Sequence, residues 1–181
     1  MGLGLLFFGY LFCLNILNVY FLPFSAGIMF WALKKLSFVN PTLSHSKTYL
    51  IPLFFVGLTG GVLAVIDTFL LKMSFYSTLA GILTVLGHLL MLVFLFFLFG
   101  GLRELATEVS LPKLAAKALR NQVFCFFYFV PAVLLELPIW DTSLFLQTAS
   151  LFVVLLGLII FILNATTLYD FYRLVCMPGQ E

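Results

Sequence analysis

Three ionisable residues stand within otherwise apolar stretches of this chain: Asp67, His88 and Glu136. Charging such a group in hydrocarbon is costly, so intramembrane carboxylates and imidazoles pair with one another, stay neutral or line a polar path. A histidine in that setting could relay protons or contact a ligand. If Asp67 and Glu136 met, repulsion and burial would leave one proton shared between them, or would draw in a cation. Each residue also has a structural reading, and that reading is the simpler one. A neutral His88 would hydrogen-bond across two helices and hold a bundle together. Asp67 and Glu136 would reach the outer headgroup layer, with Lys72 near enough to pair with Asp67.

The rest of the catalytic vocabulary is sparse. GxSxG, HExxH, P-loop and GxGxxG patterns are missing from the sequence. Cys13, Cys125 and Cys176 form no CxxC and no ligand spacing with histidine, which reads as three free thiols. His45, the other histidine, is expected in a loop. No catalytic residue, cofactor, metal or nucleic-acid partner is expected.

The elements that must position these residues follow from composition. Of 181 residues, 64% are hydrophobic and 9% are charged, and the 23 Phe outnumber the 9 basic and 7 acidic residues together. Soluble domains carry ~25% charged residues and cannot hide this much apolar surface. The solvent must be lipid, and the bilayer itself is the first partner. A helical span needs ~20 apolar residues, so six spans leave no room for an extramembrane domain.

The expected fold is all-α and integral to the membrane, a single transmembrane domain built as a six-helix bundle. Polar punctuation places the spans at about 3–19, 20–36, 49–71, 78–100, 122–140 and 144–169. The first two share one long apolar run, divided at Asn18 and Pro23. A polar loop is expected over Ser37–Thr48, a partly amphipathic linker over Leu102–Asn121, and a kink at Pro131. On this map His88 lies within about a residue of the middle of its span. Asp67 and Glu136 lie ~10 Å from the middle, both toward the same side. The start lacks the basic region of a signal peptide, so the first apolar run is expected to remain in the mature protein.

Charge placement orients the map. Lys34, Lys35, Lys47, Arg103, Lys113, Lys117, Arg120 and Arg173 fall on one side, and Lys72 alone falls on the other. The positive-inside rule makes that side cytoplasmic, with both termini there. Tyr49, Tyr169 and Tyr172 are expected at the inner interface, and Tyr20, Tyr76 and Trp140 at the outer one. Tyr10 and Tyr128 lie deeper and need hydrogen-bond partners in the bundle.

Several residues read as helix–helix glue. Gly57-x-x-x-Gly61 lets another backbone approach and marks the third span as central. Cys125, Phe129, Ala132 and Glu136 share one stripe, and Asn164 shares a face with Gly157 and Thr167. Asn15, Asn18 and Gln147 are further hydrogen-bonding groups. In the linker, Ser110 is expected to cap a helix that starts at Leu111-Pro112. Lys113, Lys117 and Arg120 then form a basic stripe suited to anionic headgroups, although a docking site for a soluble partner would look the same. The tetrad Leu33-Lys34-Lys35-Leu36 recurs in type at Leu102–Leu105 and Phe171–Leu174, 69 residues apart both times. That is compatible with three tandem hairpins, but apolar spans ending in a basic residue also look alike by chance.

The opening GLGLLFFGY (Gly2–Tyr10) and the closing LYDFYRLVC (Leu168–Cys176) resemble the ends of a group of small multi-span proteins of low-GC Gram-positive bacteria. The resemblance implies a bacterial cytoplasmic membrane location and carries over no functional residue. Three functions are weighed, and the last, an intramembrane enzyme, has no motif in the sequence to support it. The first is a non-enzymatic subunit, assembly factor or sensor acting through a membrane protein partner or a second copy of the chain. The second is a small transporter or proton- or cation-coupled carrier built on Asp67, His88 and Glu136.

Overall fold

The computed structural model describes residues 2–12, 22–36, 38, 40–66, 74–136 and 144–176. Among these residues the structure is helical throughout, apart from two short turns. The helices are α1 (Gly2–Phe12), α2 (Leu22–Leu36), α3 (Pro41–Ile66), α4 (Ser74–Glu108), α5 (Pro112–Glu136) and α6 (Leu144–Cys176). Four of them, α3 to α6, are long and apolar enough to cross a bilayer, as expected of a membrane protein. The opening apolar run is two helices, not one, and they pack side by side.

Each helix packs on its neighbours in the chain, and α6 returns to α1. The result is a closed ring of antiparallel helices, the arrangement that short connections favour. α3 is one stave of this ring, packed on α2 and α4, and does not occupy the central place that its small residues implied. Gly57 and Gly61 are nonetheless buried.

Contacts at one end of the ring fix which helix ends meet. Leu36, at the end of α2, abuts Gly2 at the start of α1, and Tyr172, near the end of α6, abuts Gly4. Asn40 and Thr42, at the start of α3, hydrogen-bond to Glu104 near the end of α4. Lys117, in α5, pairs with Asp170, in α6. All eight basic residues grouped by the sequence therefore gather at this basic end. The three tetrads also lie there, each near the end of an even-numbered helix, with Leu33, Leu102 and Phe171 fully buried.

Two expected loops are mostly helix. Asn40 caps α3: its Oδ1 accepts the backbone N–H of Thr42 at 2.8 Å and of Leu43 at 3.3 Å. Pro41 follows at the first helical position, where its missing N–H costs nothing. Helix thus begins at Pro41, inside the stretch read as polar loop, and His45 is an exposed helical residue. The linker is likewise a single turn between α4 and α5. Ser110 does not cap the second helix. It ends the first, at φ 58°, in a left-handed conformation. Its N–H bonds to the Thr107 carbonyl, and the Leu111 N–H reaches back to the Ala106 carbonyl at 2.8 Å. This is the paired closure of a helix C-terminus that a left-handed residue makes possible. The Leu111 carbonyl then accepts the N–H groups of Leu114 and Ala115 and opens α5. α5 continues through Pro131 and α3 through Pro52, as membrane helices tolerate.

The core is concentrated in the basic half. Phe94, Phe99, Phe171, Leu6, Met29 and Leu98 are among its fully buried side chains. α5 contributes Leu114, Ala118, Asn121, Cys125, Phe129 and Ala132, whose three- and four-residue spacing keeps one seam on its neighbours. α3 and α4 touch closely at Gly101, where a Cβ would stand 2.8 Å from Leu43 Cγ and 3.0 Å from the Leu43 nitrogen.

Candidate functional site

Of the three sequence candidates, Asp67 lies outside the described residues, as does Lys72. His88 sits on α4, half-buried, with its ring 6.0 Å from that of Phe129 on α5. Its Nδ1 is enclosed and lies outside hydrogen-bond geometry of every acceptor among the described residues, although Thr84, one turn back, presents its carbonyl nearby. Among the described residues this nitrogen therefore makes no interhelical hydrogen bond. Glu136 is exposed at the end of α5 and lies within electrostatic range of His88 and of Tyr128. The fold brings His88 and Glu136 into one region between α4 and α5 without joining them.

A second constellation runs down the α5–α6 seam from the basic end, one helical turn at a time. Its first rung is the Lys117–Asp170 ion pair, 2.5 Å long and half-exposed. Lys117 is thus engaged within the protein, and Arg120 donates to the Asn121 side chain at 3.3 Å. Two of the three cations in the expected headgroup stripe have protein partners. The second rung is Asn121, fully buried, whose Nδ2 donates to the Leu163 carbonyl and to Thr167 Oγ1, both at 2.9 Å. Thr167 also donates to the Leu163 carbonyl at 2.8 Å. The third rung joins three helices: Asn164 Nδ2 donates to Tyr10 Oη at 2.9 Å and lies 3.8 Å from Cys125 Sγ. The Tyr10 ring stacks on Phe161, with centroids 4.9 Å apart. Above it, Tyr128 lies against Gly157 so closely that a Cβ there would stand 2.6 Å from the ring.

Tyr10 thus finds the partner it was expected to need, and Gly157, Asn164 and Thr167 do share a packed face. Asn121 escaped the sequence reading because it was placed in the linker. Its signal was a polar residue on the buried seam of α5, three residues after Ala118 and four before Cys125. Asn164 Oδ1 is buried and has no partner among the described residues. Cys125 is fully buried, with no base beside it among the described residues, so the seam has the form of interhelical glue rather than of an activated nucleophile.

A third feature is a groove of about 620 Å³ at the basic end, on the α4 face between α3 and α5. Phe96 and Phe97 form its floor, and Arg103, Glu104 and Glu108 line its charged part. Glu104 Oε2 accepts hydrogen bonds from Thr42 Oγ1 at 2.7 Å and Asn40 Nδ2 at 3.2 Å, which fixes that carboxylate. Gln122 Nε2 donates to the Phe96 carbonyl at 3.1 Å and closes the α5 side. A smaller apolar crevice of about 250 Å³ lies between α2 and α3, lined by Gly27, Phe30 and Phe54. Among the described residues no three His, Cys, Asp or Glu side chains gather as a metal site would need. Comparison with family models, curated proteins and solved structures gave no match.

Proposed function

We propose that the chain is a six-pass protein of a bacterial cytoplasmic membrane, with both termini cytoplasmic, and that it works without catalysis through helix contacts with a membrane partner. The observation that carries this reading is the surface of α6 away from the basic end. Leu151, Phe152, Val154, Leu155, Leu158 and Ile159 are all exposed and form one broad apolar face, opposite the side on which Gly157 and Ile160 pack into the ring. The polar side chains, by contrast, are mostly engaged in joining helices within the ring. A helix that presents one broad apolar face outward, in a protein whose polar groups serve assembly, suits a subunit, assembly factor or sensor. The eight-to-one distribution of basic residues supports the orientation. The likeness of the chain's two ends to small Gram-positive membrane proteins supports the location.

Copurification from native membranes in mild detergent, read by mass spectrometry, tests this function. A stoichiometric membrane protein, or a second copy captured by crosslinking through α6, is expected. A monomer that copurifies with nothing and crosslinks to nothing would count against it. Cysteine labelling from either side of the membrane tests the topology, with His45→Cys expected to react only from the cytoplasm.

A second reading rests on a separate observation, the enclosed Nδ1 of His88 near Glu136. On that reading Asp67, His88 and Glu136 carry a proton or cation across. Flux in proteoliposomes should then fall on Asp67→Asn, His88→Ala or Glu136→Gln, and normal flux in the triple variant would sink the idea.

A further inference from the structure

The groove on α4 has a composition that the helix-packing role does not use. Along one helix it passes from aromatic rings at Phe96 and Phe97 to charged groups at Arg103, Glu104 and Glu108. Twelve residues separate Phe96 from Glu108, a rise of ~18 Å. That distance takes a helix from hydrocarbon into the headgroup layer. Gly100 lies between the two parts. A Cβ there would meet only Gln122 Nε2 at 3.5 Å and Thr42 Cγ2 at 4.0 Å, so the missing side chain leaves the groove continuous.

The charges are arranged for a ligand of both signs. No ion pair or hydrogen bond engages the side chains of Arg103 or Glu108 among the described residues, and both border the groove. A free guanidinium matches a phosphate, which it can hold with two parallel hydrogen bonds. Two carboxylates within about one turn, one of them fixed by Asn40 and Thr42, match an ammonium and repel a headgroup of net negative charge. The aromatic floor matches an acyl chain and has no use for a water-soluble ligand. We infer that this groove binds a zwitterionic phospholipid with a primary-amine headgroup, its phosphate on Arg103, its ammonium on Glu104 and Glu108, and its chain against Phe96 and Phe97. This inference does not depend on which partner the protein has.

Native mass spectrometry of the full chain tests it, after equilibration in mixed micelles of phosphatidylethanolamine, phosphatidylglycerol and phosphatidylcholine with matched chains. Phosphatidylethanolamine is expected to be retained in preference to both others. Arg103→Ala should lower that retention about tenfold, the effect of one charge-assisted contact. Glu108→Gln should narrow the preference over phosphatidylglycerol. Gly100→Leu, which fills the groove, should abolish the preference. Arg103 is exposed, so its variant keeps the test decisive even if Gly100→Leu fails to fold. Equal retention of the three lipids, a preference for phosphatidylglycerol, or unchanged retention in Arg103→Ala would overturn the assignment. So would displacement by soluble phosphoethanolamine as effective as displacement by the lipid.

Discussion

The two halves of the ring are built differently. Toward the basic end, the helices interlock around fully buried Phe94, Phe99 and Phe171, and side chains from different helices meet in hydrogen bonds. Toward the other end, the described parts of α4 and α6 present exposed and half-buried apolar residues with few fully buried ones, and the polar His88 has an enclosed nitrogen without a partner among the described residues. In lipid the hydrophobic effect does not draw helices together, because the tails are as apolar as the side chains. Close packing and interhelical hydrogen bonds must do so. Tight association is therefore found where small residues and paired amides coincide. Where they do not, lipid or another protein covers the helices.

The sharpest way to break this contrast is to add bulk in each half. Gly101→Leu forces a side chain into Leu43 and its backbone, and should cost ~3 kcal/mol or prevent folding. At Gly81 an added Cβ would find nothing within 4 Å, and Gly81→Ala should leave stability unchanged or raise it by ~0.5 kcal/mol. Unfolding in mixed detergent micelles measures both, and equal losses would show that the halves are packed alike.

Next in size, removing a polar group should act with opposite signs. Asn121→Leu deletes two interhelical hydrogen bonds and should destabilise by ~1 kcal/mol. His88→Phe deletes an enclosed nitrogen that makes no hydrogen bond to the described residues, and should be neutral or stabilise by up to ~1 kcal/mol. A matching loss from His88→Phe would mean that the imidazole is bonded in the membrane. Ser110→Gly relieves a left-handed residue at the end of α4 and should stabilise by ~1 kcal/mol, read as a rise in the thermal midpoint. The smallest effect belongs to the half-exposed ion pair. Lys117→Ala should cost no more than ~0.5 kcal/mol, and the cost should fade at high salt.

Much of the candidate site was legible because it rests on period. Cys125, Phe129 and Ala132 were read as one stripe and are buried together; Gly157, Asn164 and Thr167 were read as one face and pack together. His45, Ser110 and Asn121 were misplaced for a common reason. Each is polar and near a membrane surface, where hydropathy alone cannot tell a loop from a helix continuing beyond the bilayer. α4 shows how far that goes, since its 35 residues rise ~52 Å against ~30 Å of hydrocarbon. The capping geometry of Asn40 and the left-handed turn at Ser110 depend on where neighbouring N–H and carbonyl groups point, and composition does not encode that.

The sequence alone determined that lipid is the solvent, that the chain is helical, and that eight of its nine basic residues belong to one end. These follow from transfer energies and helical period, which act locally and add along the chain. Only the tertiary structure decided that α6 closes back on α1, that Glu104 is held by Asn40 and Thr42, and that Asn164 reaches Tyr10. The hydrogen bonds among them join residues 62 to 154 positions apart. They depend on the angle and rotation at which each helix meets the next, which packing of the whole ring sets and no single segment contains.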